Sequence, residues 1–317
     1  MGAPSRPRFG SLQFYPRKRA AKIIPSVNWS AVSTKSPGLL GFIAYKVGMA
    51  SAIVKDVTDK SMTQNKRIAV PVTLLEVPPM KVFSIRFYNK GIVSKEVIVS
   101  NDRELKKIVR VPKVLKSLDS EAPKEFKDVR VIAYSVPKTA NIKKTPDIIE
   151  IAFNADNKLE FAKSLIGKEL SLADFVKPDA NLIDVRGLTK GHGLEGPVKR
   201  FGIGFRSHKA EKGQRNPGSL GPWHPARVTF RTPLAGQVGL FSRVHYNHKI
   251  LFQGNTKENN INPNSGFHKY GKITSSYLVV KGSVQGPNAR QILITAAMRP
   301  NKAQTKKKLE FVKLITP

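Results

Sequence analysis

The chain has 317 residues, 40% of them apolar, which is enough for one large domain or two ordinary ones with real cores. Its 55 Lys and Arg against 22 Asp and Glu give a net charge of +33, far beyond what solubility needs, and self-repulsion makes that excess costly unless a polyanion relieves it. There is no cysteine, which excludes disulfides and thiolate metal sites, and no run approaches the ~18 apolar residues of a membrane-spanning helix.

The excess is unevenly spread. Residues 1–40 carry seven basic side chains and no acidic one, 41–180 carry 25 and 17, and 181–317 carry 23 and 5, so the two flanks look like surfaces built for an anion. Met1 to Ser11 lack the apolar core of a signal peptide, and the sequon Asn28-Trp29-Ser30 is read as chance in a chain expected in the cytoplasm. The arm reads Pro4-Ser5-Arg6-Pro7-Arg8-Phe9-Gly10 and then Pro16-Arg17-Lys18-Arg19-Ala20. Proline and charge argue against an independent fold there. Charge alone fits a solvated tail equally well. Phe9, Phe14 and Tyr15 among the arginines suit stacking on bases while guanidinium groups hold phosphates.

From Leu39 to Val99 the pattern is of strands. Ile68 to Val77 reads as a buried strand with a break at Pro71, and Val82 to Tyr88 and Ile92 to Val99 alternate about a turn at Gly91. A helix is predicted near Asp102 to Val109 with Asn101 as cap, then strands at Val129 to Tyr134 and Ile148 to Phe153. Asn157 to Ile166 predicts a short amphipathic helix stopped by Gly167. After Leu182 the texture changes, and residues 186–254 hold 12 of the 23 glycines. Strand-like runs return at Val238 to Phe252, Tyr277 to Val284 and Gln291 to Met298. The last two, separated by Gly286-Pro287-Asn288, predict a hairpin closing a barrel. Lys302 to Lys308 is basic, helical or frayed. No internal repeat is found.

Residues 186–226 are the most informative stretch. They show almost no helix or strand periodicity, and structureless segments beyond ~12–15 residues are uncommon in compact domains unless functional or disordered. Lys190, Lys199, Arg200, Arg206, Lys209, Lys212 and Arg215 face only Glu195 and Glu211. A floppy surface loop would carry the same residues. A flexible basic segment inserted into an RNA cleft takes its order from the partner. In Gly221-Pro222-Trp223-His224-Pro225 a large ring lies between two prolines, so Trp223 either packs in a core or stacks on a partner.

Enzyme-like signals are weak. Gly191-His192-Gly193-Leu194-Glu195-Gly196 matches the dinucleotide fingerprint and follows the strand-like Leu182-Ile183-Asp184-Val185. Yet Pro197 follows at once, no apolar-periodic helix opens, and no βαβ unit surrounds it. His245 and His248 are three apart, but their pattern is not helical and no carboxylate lies near as a third ligand, so no metal is expected. No serine has a nucleophile-elbow setting. Glu211 is the single carboxylate in 196–257, which leaves general acid–base chemistry almost nothing to use. No catalytic residue and no cofactor is expected. A generic DNA-compacting protein would explain the charge but not the ordered motifs.

Those motifs carry a resemblance. Pro7-Arg8-Phe9-Gly10-Ser11-Leu12, Pro16-Arg17-Lys18-Arg19-Ala20, Gly41 to Met49 with Tyr45-Lys46-Val47-Gly48-Met49, Asp184 to Gly196, Gly221-Pro222-Trp223-His224-Pro225-Ala226-Arg227, Gly236-Gln237-Val238-Gly239 and Asn247-His248-Lys249-Ile250 resemble, in order and over nearly the whole chain, the universal large-subunit ribosomal protein three family in its archaeal form. One departure is Ala50, where the family has threonine after Gly48-Met49, and at 317 residues the longer C-terminal extension of eukaryotic members is not expected.

The resemblance implies a mainly β fold: a translation-factor-like β-barrel with an α+β insertion, an extended N-terminal arm and a long central basic loop. On this reading 1–38 is the arm, 39–85 and 181–300 form the barrel with 186–226 as its loop, 86–180 is the insertion and 301–317 a basic tail. It implies large-subunit rRNA and neighbouring ribosomal proteins as partners, with no membrane, no small-molecule substrate and no homo-oligomer. It puts Trp223 near the loop tip, close to the peptidyl transferase centre, and matches His208 to a histidine on the approach to that tip. The expected RNA contacts are Arg6, Arg8, Arg17, Lys18 and Arg19 on the arm. On the loop they are Lys190, His192, Lys199, Arg200, Arg206, His208, Lys209, Lys212, Arg215, Trp223, His224 and Arg227. Arg243, His248 and Lys249 follow it.

Overall fold

The computed structural model of the chain describes residues 11–34, 36–175 and 181–315. They form two compact units, one joining 11–21 to Leu188–Arg243 and the other holding 22–187 and 244–315. In chain order the strands are β1 Gly38–Leu39, β2 Gly41–Asp56, β3 Arg67–Val77, β4 Met80–Asn89, β5 Ile92–Ile98, β6 Asp128–Ser135, β7 Ile148–Ile151, β8 Phe153–Asn154 and β9 Leu182–Leu188. They continue with β10 Gly191–Glu195, β11 Gly236–Gly239, β12 Ser242–Asn255, β13 Ser276–Lys281, β14 Gln291–Ala296 and β15 Leu309–Ile315. The helices are α1 Leu118–Glu121, α2 Lys158–Ser164, α3 Leu172–Phe175, α4 Pro197–Phe201 and α5 Lys302–Lys306. Mainly β structure with an α+β insertion is therefore what the sequence builds.

The larger unit is organised by a closed ring of strands in the order β14-β9-β12-β13-β3-β2, completed because β14 also pairs with β2. Closure removes exposed sheet edges. The central strands are buried on both faces. Leu75, Val77, Leu278 and Val280 enter one core, while Val72, Leu74, Tyr277 and Val279 enter a second. Side chains alternate across a strand, so a strand between two cores must be apolar at every position, as β3 and β13 nearly are.

β2 serves two partners along one edge: Gly41 to Tyr45 pair with β14, and Ser51 to Asp56 with β15. The register against β3 shifts between Lys46 and Gly48, so Val47 is an inserted residue that bends the strand between those two duties. Pro71 does not break β3. It lies opposite Ser51, one residue past the end of the ladder to β13, where its missing N–H costs nothing.

Two expectations are corrected. β13 and β14 do not form a hairpin, since β13 lies between β12 and β3 and β14 between β9 and β2. The connection between them is tied to β2 instead, where the buried Lys46 Nζ donates to Val284 O at 2.7 Å and Gly286 O at 3.1 Å. Alternation and turn residues specify strands and a turn, not which strand is the partner. The helix expected near Asp102 to Val109 is a single 3₁₀ turn, Leu105–Lys107, anchored by the buried Leu105. After the basic run, Leu309, Phe311 and Leu314 pack on the second core and make β15 a strand.

The insertion is an antiparallel sheet, β5-β4-β6-β7, with α1 and α2. Its first hairpin turns at Lys90 (φ 49°) and Gly91 (φ 80°), the two positive angles of a tight hairpin turn. α2 starts at Asn157, whose side chain accepts the Glu160 N–H, and is followed by Gly167 at φ 74°. The carboxylates of this region are consumed locally. Glu150 takes Arg86 and Arg130 at 3.1 and 2.9 Å, Glu96 takes Arg86 at 2.8 Å, and Asp128 takes Arg130 and Lys158 at 3.1 and 2.5 Å. Tyr45 ties the ring to the insertion through Ser135 Oγ at 2.7 Å and Asp147 Oδ2 at 2.5 Å. Burial first, then the charge of Asp147, pushes its pKa up, so it remains a phenol donor.

Candidate nucleic-acid interface

The smaller unit has almost no core: among the described residues its buried apolar side chains are Leu188 and Phe201. Its root is the pair β10–β11, in register from Gly191 opposite Gly239 to Glu195 opposite Gly236, with an irregularity at Gly193 (φ 70°). Gly239 (φ 74°) is required by close approach, because a Cβ there would stand 1.9 Å from Lys190 O. A helix does open after this strand, against expectation, but it is the single turn α4, with proline in its first turn and Gly202 as a left-handed cap. The glycines of the fingerprint thus lie in a strand and its turn, not in a phosphate-cradling loop before a long helix.

Arg200 on α4 is spent inside the unit. Its guanidinium donates to Gln237 O at 3.2 Å, Leu234 O at 2.9 Å, Ala235 O at 3.4 Å and Arg17 O at 3.2 Å. Gly236 makes room for it, since a Cβ there would come within 2.7 Å of Arg200 Cζ. Arg17 reciprocates: Nη1 donates to Arg200 O at 2.5 Å, and its guanidinium lies 4.3 Å from the Phe201 ring centre. Ala20 N–H donates to Leu240 O at 3.0 Å. The end of the arm and the root of the loop therefore order one another, where the sequence alone pointed to a partner for both.

Beyond this root, no residue from 202 to 235 is buried. The backbone closes on itself only in local turns, such as Arg206 N–H to Gln214 O at 3.0 Å and Ala226 N–H to Trp223 O at 2.8 Å. Trp223 is 87% exposed, which removes the core-packing alternative for its ring. Arg206, His208, Lys209, Lys212, Arg215, His224 and Arg227 are all exposed, as are Lys190, His192 and Lys199 nearer the root and Lys18 and Arg19 on the arm. Lys199 pairs with Glu195 at 2.5 Å, the one ion pair of this unit among the described residues. Arg6 and Arg8 lie outside the described residues.

Sequence reading singled out Phe14 but missed two further rings. Phe14, Phe205 and Phe230 are 50, 63 and 74% exposed, with Arg243, Arg215 and Arg231 held over them at 4.1, 5.3 and 5.4 Å. Recurrent Phe close to Arg was the available signal. Guanidinium over a ring is preformed for stacking, and the ring's other face is a platform for a base. The cations crowd one another. The pKa values of Arg200 and Arg243 are lowered, by desolvation first and then by the charge of Arg17. A phosphate oxygen would reverse that repulsion.

Two expected contacts lie in the larger unit and face inward. His248 is buried, with Nδ1 against Lys281 O at 3.0 Å and Nε2 against His245 Nδ1 at 2.8 Å. Lys249 is buried and its Nζ donates to Gln304 O and Lys307 O at the end of α5. Among the described residues no group of three His, Cys, Asp or Glu side chains is placed to hold a metal ion, and no helix is long and apolar enough to cross a membrane.

A folded β body and a nearly coreless, cation-rich, aromatic-bearing loop define a protein of the nucleic-acid-binding, scaffold type. The family model "Ribosomal protein L3" matches residues 1–104 and 106–315, and the chain belongs to that family. It is 40% identical to the large ribosomal subunit protein uL3 of Methanococcus vannielii over 93% of this chain and 92% of that protein. The identity to the protein of the same name from Methanocaldococcus jannaschii is 40% over the same shares, and to that from Methanothrix thermoacetophila 38% over 96% and 94%.

Proposed function

We propose that the chain is a structural constituent of the large ribosomal subunit that binds and organises its rRNA in the cytoplasm. It acts as one copy beside other ribosomal proteins, without catalysis, cofactor or small-molecule substrate. One observation carries this reading: residues 202–235 hold no buried side chain yet carry Arg206, Lys209, Lys212, Arg215, Arg227 and Arg231 against Glu211 alone. Such a segment gains affinity by neutralising phosphates and shape from the RNA around it. The names of the relatives support the assignment to the large subunit.

The contacts proposed are the exposed ones, namely Lys18, Arg19, Lys190, His192, Lys199, Arg206, His208, Lys209, Lys212, Arg215, Trp223, His224 and Arg227, with Arg17 and Arg243 at the root and Arg6 and Arg8 on the arm. Arg200, His248 and Lys249 are left out, because their polar atoms are engaged within the chain. The loop tip with Trp223 approaches the peptidyl transferase centre, and the ring body supports early assembly of the subunit.

Sedimentation of a native lysate tests the reading. The protein travels with large subunits, and the free protein loses rRNA binding with a log–log salt slope of about −7 to −9 if on the order of ten phosphates are neutralised. Sedimentation apart from subunits, or equal affinity for duplex DNA and folded rRNA, would refute it in favour of a DNA-compacting role.

A further inference from the structure

His245 and His248 form a hydrogen-bonded pair that the RNA-binding reading does not use. On a regular strand residues three apart point to opposite faces. Here Asn247 stands between them at φ 58°, a left-handed angle that asparagine tolerates, and β12 is kinked so that the two rings meet. The kink is held from below by the buried Asp184, whose Oδ1 accepts the Asn247 N–H at 2.8 Å.

The pattern of donors fixes the tautomers. Lys281 O is a carbonyl and only accepts, so His248 Nδ1, at 3.0 Å, carries hydrogen. Neutral His248 then offers Nε2 as a lone pair, and His245 Nδ1, at 2.8 Å, must donate to it. Neutral His245 therefore has its second nitrogen, Nε2, bare of hydrogen on an exposed ring. Burial first lowers the pKa of His248 and holds that ring neutral, which keeps the chain of donors in this sense. The close approach of the two nitrogens is that of a shared proton, and the remaining nitrogen of His248 is already engaged, so the pair is not half of a metal site. His208 shows the opposite polarity: its Nδ1 accepts from Gln214 Nε2 at 3.2 Å, which leaves Nε2–H as an outward donor.

Resting on the rRNA-binding reading, we propose that His245 reads RNA. Its ring, oriented by the hydrogen bond from Nδ1 to His248, presents Nε2 as a hydrogen-bond acceptor that selects a donor group of the RNA, a ribose 2′-hydroxyl or an exocyclic base amine, over a phosphate oxygen. His248 is the positioning residue. An acceptor facing outward from a strongly cationic chain rejects nothing on charge but is useless to a phosphate, which brings no proton. The 2′-hydroxyl is also the group that distinguishes RNA from DNA.

The test uses the full chain and large-subunit rRNA with nucleotide-analogue interference, 2′-deoxynucleotides in one arm and inosine or purine riboside, which lack the base amine, in the other. One position in one arm weakens wild-type binding by about three- to tenfold, the weight of one hydrogen bond, and ceases to matter with His245→Ala. The arm in which it appears names the donor. In long-range ¹H–¹⁵N spectra of the free, histidine-labelled chain, neutral His245 shows hydrogen on Nδ1 and none on Nε2. His248→Phe mixes the two tautomers without moving resonances elsewhere. The proposal is overturned by hydrogen on Nε2 of the neutral ring, by an interference map unaltered in His245→Ala, or by a His245-dependent signal found only with phosphorothioates. If His248→Phe fails to fold, the wild-type spectrum and the His245→Ala map still decide. Should wild-type protein bind no rRNA, the broader reading fails and takes this one with it, whereas an intact rRNA complex with an unaltered map refutes His245 alone.

Discussion

Trp223→Ala separates what the loop tip does from what the fold needs. The indole is 87% exposed, and the turn it belongs to is closed by backbone, Ala226 N–H to Trp223 O. Truncation therefore removes almost no packing and should change folding stability by no more than about 0.5 kcal/mol. If the ring stacks on a base, its loss removes about 1–3 kcal/mol, a factor of about five to 150 for contacts made by the tip. Total affinity rests on many cations spread over the arm and loop, so incorporation into subunits should persist. The assay compares variant and wild type for three quantities: melting temperature of the free protein, occupancy in purified large subunits, and binding of tRNA or of an antibiotic at the catalytic centre. Near-equal melting and occupancy with altered tRNA or antibiotic binding is expected. A melting temperature lower by several degrees would show that the ring supports the fold. Unaltered tRNA and antibiotic binding would remove its special role.

Two further perturbations probe the root of the loop. Deleting residues 1–22 takes away the Arg17 stack on Phe201 and its hydrogen bond to Arg200 O, so truncated protein should assemble into subunits more slowly and lose when mixed with full-length chain; equal incorporation would make the arm a mere tail. Gly239→Ala puts a Cβ against Lys190 O at a left-handed angle, a backbone cost of about 1–2 kcal/mol before the clash is relieved. Amides of Leu194 and Glu195 should lose hydrogen-exchange protection while those of β3 and β13 keep theirs, and unchanged protection throughout would show that the glycine is dispensable.

The features legible in the sequence are the local ones. Lys90 and Gly91 turn a hairpin, Asn157 caps α2, and Gly167 follows it, because each depends on dihedral preference or a hydrogen bond a few residues away. The exposed side chains of 202–235 follow from composition, since so few apolar residues among glycine and charge make no core. The engagement of Arg200, His248 and Lys249 within the chain was not legible, for the opposite reason. Their type and neighbours matched those of RNA ligands, but carbonyls distant in sequence accept their hydrogen bonds.

By itself, then, the sequence determined where positive charge would lie unneutralised, which segments apart from β10 and β15 would be strands, and that family membership was written in ordered motifs from Pro7 to Ile250. Tertiary structure alone decided that β13 and β14 part company, that β15 joins β2, and that His245 meets His248 across a kink at Asn247. Strand formation and charge are properties of short segments. Partner choice is settled by closing one ring, in which every strand must satisfy two neighbours at once, and that constraint is not written in any window of the chain.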